Sequence, residues 1–286
     1  MNKYISPLFG PTGLAQPAFI PLLSLLNIDE RRIDLVHEAF QKRFLQKKSD
    51  GTPLERWQLT TLDLPSPQDL REPLRAIDMI DAIRPSRDSY AGLCVFGALQ
   101  PRICIRLAAA IELPEHVFFP SITLLAGQRN LQLDGRESLD IIQRQTGPLT
   151  LRQDQRDGDL QSLGMETDLM EWYWQNAEMP DAIRQIPWDT VDAPKVQPEG
   201  RPTTASQLRH RILSKKPAPG RYLAVSNQPH VRYQEAVARN VIPAESGITL
   251  ECVGPAASDN LSSEFLLGEL ARWIHEEYAT WRRANA

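Results

Sequence analysis

Apolar positions along the 286-residue chain follow two different patterns, and the change between them divides it. From about residue 15 to 83 the pattern is helical. Across Asp29 to Lys48, Ile33, Val36, Phe40 and Phe44 recur at three- and four-residue spacing, which makes one apolar stripe with Asn27 or Asp29 as N-cap. A second helix is predicted from Ser66-Pro67 through Leu70, Leu74, Ile77 and Ile80. Residues 1–88 therefore read as a helical N-terminal extension or cap.

At Tyr90 the pattern changes. Gly92-Leu93-Cys94-Val95-Phe96-Gly97 is a short continuous apolar run closed by glycine, as expected of a buried parallel strand. A helix starting near Pro101 would turn Ile103, Leu107, Ala110 and Ile111 toward a sheet, and Ser121 to Ala126 is a second strand closed by Gly127. This is the pattern of a βαβ unit. Residues 128–165 are polar and read as an insertion with a helix near 136–144. A helix resumes at Glu166, and its adjacent Trp172, Tyr173 and Trp174 are not expected all to face a core.

Further along, the sequence predicts a strand over Ile186 to Val191, a helix from Thr204 to Leu213 and a strand from Tyr222 to Val225. A helix from Pro229 to Arg239, a strand from Thr249 to Val253 and a last helix from Ser262 to about Arg283 follow. Residues 89–286 thus read as an α/β, Rossmann-like domain, a mostly parallel sheet with helices on both faces.

Composition narrows the function classes. There are 32 Lys/Arg against 36 Asp/Glu, a formal charge of −4, and 42% hydrophobic residues. A nucleic-acid binder would ordinarily be basic, and a disordered chain less apolar. No segment reaches 18 consecutive apolar residues, and prolines 7, 11, 17 and 21 interrupt the N-terminal one, so neither a membrane span nor a signal peptide is expected. Cys94, Cys104 and Cys252 form no CxxC pair, and their odd number suits a reducing cytoplasm.

Charge is unevenly distributed. Between Lys195 and Arg239 nine Lys/Arg face two acids, giving +7 and leaving −11 for the other 241 residues. A solvated helix face explains this as well as an anion site does.

In open α/β sheets, ligands bind beyond the carboxyl ends of the strands. Four loops fall there: Gly97-Ala98-Leu99-Gln100, Ala126-Gly127-Gln128-Arg129, Arg201-Pro202-Thr203-Thr204 and Ser226-Asn227-Gln228-Pro229-His230. Their small residues permit close backbone approach, and their hydroxyls and amides suit a phosphate or carboxylate. His230 is an acid/base candidate or a capping residue, and Glu166 is a ribose-orienting carboxylate or a first-turn helix acid. Thr203 and Thr204 are ligand contacts or N-caps. Arg102 and Arg106 share one helix face, with at least one of them expected to be solvated.

Asp189 and Asp192 flank a strand end, but two carboxylates make a poor Mg²⁺ site. His37, His116, His210 and His275 have no ligand-like neighbours in sequence, so no metal is expected. The absence of GxxxxGK[ST], GxGxxG and GxSxG argues against a P-loop enzyme, an ordinary dinucleotide dehydrogenase and an α/β-hydrolase.

Taken in order, the loops resemble those of the YdcF-like family, which includes SanA and ElyC. The residues that carry the resemblance are Cys94-Val95-Phe96-Gly97-Ala98 with Arg102 and Arg106, Leu124-Leu125-Ala126-Gly127, and Met165-Glu166-Thr167. Pro202-Thr203-Thr204-Ala205 and Val225-Ser226-Asn227-Gln228-Pro229-His230-Val231-Arg232 complete it. Ala126-Gly127 stands where the family has two glycines, and Tyr233 where it has an arginine.

The resemblance covers residues 90–255 and implies a Rossmann-like domain binding an anionic or nucleotide-like small molecule, S-adenosylmethionine among the candidates, or taking part in envelope-precursor processes. On that reading Gly97, Ala98, Arg102, Gly127, Gln128, Thr203, Thr204, Ser226, Asn227 and Arg232 would surround the ligand, with His230 and Glu166 as catalytic candidates. The alternative is a non-enzymatic interaction protein that keeps the fold and works through its N-terminal helices, the 128–165 insertion and the aromatic C-terminal helix.

Overall fold

The computed structural model describes residues 6–46, 54, 59–144, 147–152, 160–195 and 202–285. In chain order its elements are α1 (Ile20–Leu25), α2 (Ile33–Arg43), α3 (Pro67–Arg75), β1 (Leu93–Phe96), α4 (Gln100–Glu112), β2 (Ile122–Gly127), α5 (Leu139–Arg144), α6 (Glu166–Asn176) and α7 (Asp181–Arg184). There follow β3 (Trp188–Ala193), α8 (Thr204–Lys215), β4 (Gly220–Val225), α9 (Val231–Val241), β5 (Ile248–Val253) and α10 (Ser263–Ala284).

The chain forms two compact units. The first comprises residues 1–83, 228–240 and 256–286, and the second 84–227 and 241–255. The sequence places the boundary at residue 88 alone. In the structure α9 and α10 group with the N-terminal helices instead, because the apolar stripes of the early helices are buried against residues from the end of the chain.

In the first unit the stripe Ile33, Val36, Phe40 and Phe44 is wholly buried in one cluster with Leu266, Leu270, Trp273 and Ile274 of α10. Phe19 meets Phe9 edge-on with ring centroids 5.5 Å apart. α2 is shorter than the stripe suggests. Leu14 and Arg32 pair as an antiparallel bridge, and Ile33 N–H donates to Gly13 O at 2.8 Å, so the backbone before Ile33 is already engaged outside a helix. Neither Asn27 nor Asp29 is the N-cap; Arg32 holds that position with extended backbone.

α3 begins as expected, with Ser66 Oγ accepting from Asp69 N at 3.2 Å and proline in the first turn. It ends before Ile77 because Asp78 takes a left-handed φ of 62°. Ile77 and Ile80 still reach the core, as parts of a turn rather than of a helix face.

The second unit holds a five-stranded, all-parallel sheet in the order β3-β2-β1-β4-β5. Central β1 and β2 are buried at every position, as their apolar runs, interrupted only by Thr123, require. Helices cover both faces. Asp189 and Asp192 lie three apart on β3 and so point to opposite sides; Asp192 accepts from Thr167 on α6, and Asp189 pairs with Lys215 on α8. Trp172, Tyr173 and Trp174 are all buried. The expectation that they could not all be fails because α6 is covered on more than the side facing the sheet.

All three cysteines are buried, and none is in a disulfide. Burial pushes the Cys104 thiol up to about 11, and raises Cys94 as well. Native protein at pH 8 is therefore expected to react with a thiol-specific reagent far more slowly than unfolded protein, which should titrate three thiols. Fast labelling of the native state would contradict the packing of β1 and α4. Among the described residues no helix is long and apolar enough to cross a membrane.

Candidate functional site

In the order β3-β2-β1-β4-β5 the connections run outward in both directions from β1 and β4, and such a reversal opens a crevice at the carboxyl ends of those two strands. Arg106 of α4 lies at that point. It is 3% exposed; its Nη1 donates to Phe96 O at 3.1 Å and to Gly97 O at 2.7 Å, and its Nε donates to Asn227 Oδ1 at 2.9 Å. One guanidinium thus joins the end of β1 to the residue beyond β4. Arg102, its helix neighbour, is half-buried.

Beside it, at the ends of β1 and β2, Arg129 is held between two carboxylates. Its Nη1 and Nη2 donate to Glu137 at 2.6 and 2.9 Å, and its Nε donates to Glu166 at 2.7 Å. Nη2 also reaches Ala98 O at 3.0 Å. Burial opposes the Arg129 charge, but Glu137 and Glu166 outweigh it and raise the guanidinium above its ordinary range. The other Glu166 oxygen lies over Gly97, where any Cβ would collide with it, and Gln207 Nε2 of α8 stands 3.5 Å from it. Gly97 is therefore glycine because this carboxylate comes so close. Gly127 is crowded in the same way by the Pro202 ring.

The helix starts near these strand ends are capped from within the chain. Gln100 N, in the first turn of α4, donates to Glu137 Oε1 at 3.1 Å. Ahead of α6, Gly164 N and Met165 N donate to Asp168 at 3.0 and 2.8 Å. At α8, Thr203 Oγ1 accepts from Ser206 N at 3.1 Å while Ser206 Oγ accepts from Thr203 N at 2.7 Å, so Thr203 is an N-cap and Thr204 the first helical residue. Gln128 donates to Asp192 at 2.9 Å, and Ser226 is fully buried with its N–H on Val253 O. Asp189 and Asp192, on opposite faces, cannot share one Mg²⁺.

Gly97, Ala98, Gln128, Glu166, Ser226 and Asn227 therefore fall at the strand ends of the second unit. His230 and Arg232 fall in the first. His230 Nδ1 lies 2.7 Å from Glu269 Oε2 with both side chains buried, and Arg232 pairs with Asp78 at 2.7 Å and Glu235 at 2.9 Å.

The basic segment is answered in the same way. Lys215 pairs with Asp189, Arg221 with Glu251 and Arg239 with Glu277, while Arg211 lies over the Tyr222 ring. Among the described residues, four of the seven excess charges seen in sequence are thus met by acids from elsewhere in the chain. Arg201 lies outside the described residues, as do 145–146 and 153–159 of the insertion.

Arg129 lies in one of the loops singled out from sequence, but its role, the partnership of Glu137 and the contact of Gln207 are new. A glutamate in a polar stretch carries no signal that it will be buried. Comparison with family models, with curated proteins and with solved structures finds no match to this chain.

Proposed function

We propose that the second unit is a Rossmann-like small-molecule-binding domain, YdcF-like in kind, whose ligand is nucleoside-like and sits at the carboxyl ends of β1, β2 and β4. One observation carries the reading. Arg106, Arg129, Glu137, Glu166, Gln207 and Asn227, each more than nine-tenths buried and drawn from several separate segments of the chain, gather at that one end of the sheet. Burying so many polar groups is costly, and apolar residues of similar size would stabilise the fold at least as well. Doubly wound sheets bind ligands at this end, and perturbed, buried charges collect at functional sites.

The site chemistry favours the nucleoside part of the expected ligand over its anionic part. The starts of α4, α6 and α8 are capped by the chain's own side chains, so a phosphate would have to displace Glu137, Asp168 or Thr203. The Glu166 carboxylate beside Gly97 instead suits hydroxyl or ammonium donors, as a ribose or the amino group of S-adenosylmethionine would supply.

Thermal unfolding with adenosine, S-adenosylmethionine, ATP and a sugar phosphate tests this. A ligand at a hundred times its Kd should add about 2.7 kcal/mol, seen as a rise of several degrees. Adenosine or S-adenosylmethionine is expected to act, and Glu166→Gln to abolish the rise.

A second reading, the non-enzymatic interaction protein, draws on the same filled positions, with Glu137 at the start of α4 and Pro202 against Gly127. Its proposed working surface is less well supported, since Trp273 is buried and Tyr278 and Trp281 pack on the core of the first unit. No rise with any of the four compounds at saturation would remove the ligand-binding reading in favour of this one.

A further inference from the structure

The first unit carries a histidine pair that has no part in the proposed ligand site. His37 on α2 and His275 on α10, 238 residues apart in sequence, bring Nε2 and Nδ1 within 3.1 Å. α2 and α10 pack against each other, and one turn along Gln41 Nε2 of α2 donates to Ala271 O of α10 at 2.8 Å. These two rungs, four residues apart on each helix, run in opposite senses along the two chains and hold the antiparallel helices in register. The His37 ring is also stacked on Tyr278, with centroids 4.5 Å apart and planes 21° from parallel. His37 is half-buried and His275 exposed, so one imidazole is oriented by packing while the pair remains open to solvent.

Two imidazole nitrogens bound to one ion at about 2.0–2.1 Å lie roughly 2.9 Å apart at a right angle and about 3.3 Å apart at the tetrahedral angle. The 3.1 Å separation falls between these values. An N–H···N bond between solvent-accessible rings contributes little to folding, since water replaces it readily.

We propose that His37 and His275 form a two-histidine chelating site for a divalent d-block cation. Imidazole selects Cu²⁺, Ni²⁺ and Zn²⁺ over Mg²⁺ and Ca²⁺, which take oxygen ligands, and the usual affinity order puts Cu²⁺ first. No group of three or more His, Cys, Asp or Glu converges among the described residues, so water completes the coordination and the ion stays exchangeable. Stacking on Tyr278 fixes the His37 ring, the part that a second shell plays in tighter sites. The bound ion joins α2 to α10, so binding raises the unfolding temperature of the protein.

The test uses the whole chain, freed of metal with a chelator, titrated calorimetrically with Zn²⁺ and Cu²⁺ and followed by thermal unfolding. Electron paramagnetic resonance of the Cu²⁺ form gives the number of nitrogen ligands. One ion per chain and two coordinated nitrogens are expected. His37→Gln and His275→Gln should each weaken binding roughly tenfold or more, because each removes one arm of a chelate, while His116→Gln and His210→Gln change nothing. Circular dichroism confirms that the variants fold. A single coordinated nitrogen in the wild-type protein overturns the proposal, as does wild-type affinity in either His37→Gln or His275→Gln, or loss of binding in His116→Gln. The ligand screen of the sheet domain is independent of these outcomes.

Discussion

Arg129→Ala is expected to destabilise the second unit by about 3–5 kcal/mol, because it leaves Glu137 and Glu166 buried without their counter-charge. At roughly 2–4 °C per kcal/mol for a unit of this size, the unfolding midpoint should fall by about 6–20 °C. Part of the loss comes from Ala98 O, which also gives up its donor. Arg129→Lys retains the charge but cannot reach both carboxylates and the carbonyl with one ammonium, and should fall between the wild type and alanine. Denaturant unfolding followed by tryptophan fluorescence measures both. A loss under 1 kcal/mol for Arg129→Ala would mean that the strand ends are far more hydrated than their burial indicates, and the ligand site built on them would lose its main support.

The second large effect belongs to the first unit. Glu269→Ala should cost about 1–3 kcal/mol, since Glu269 is 1% exposed and accepts from Arg272 at 3.2 Å while its other oxygen lies 2.7 Å from His230 Nδ1. Glu269→Gln retains a hydrogen-bonding group of the same shape and should lose less. The helical signal on urea unfolding is the measurement; wild-type stability in Glu269→Gln would show that the carboxylate charge contributes nothing, and a loss as large as that of Glu269→Ala that the charge carries the whole effect. His230→Ala then decides what remains of the acid/base expectation. If its response to adenosine and S-adenosylmethionine equals that of the wild type while its stability drops, His230 serves packing and not the ligand.

The elements of the sheet domain are legible because each is short and strongly patterned. Leu93 to Phe96 and, but for Thr123, Ile122 to Gly127 are apolar because they are buried on both faces, and glycine ends each run. Helix starts were equally plain where Ser66 and Ser262 could cap.

Partnership was not legible, since periodicity shows that a helix has an apolar face and not what covers it. The stripe of α2 is plain in the sequence, yet its neighbour α10 lies more than two hundred residues away, and the histidine pair with it. In sequence Gly97 and Gly127 offer room for a ligand; in the fold that room is taken by Glu166 and Pro202. In sequence His230 belongs to a strand-end loop because it follows β4, and its bond to Glu269 depends on where α10 packs. The charge of the Lys195 to Arg239 segment was misleading for the same reason, as its acids come from outside it.

The discontinuous build of the first unit has a consequence for synthesis. Its first 83 residues emerge from the ribosome with Phe19, Phe40 and Leu70 uncovered, and α10 is translated some two hundred residues later. At about 5–20 residues per second the interval is roughly 10–40 s. During that time all five strands of the sheet domain are translated, while the nascent N-terminal helices present an apolar surface to solvent and to the chaperones that recognise such surfaces.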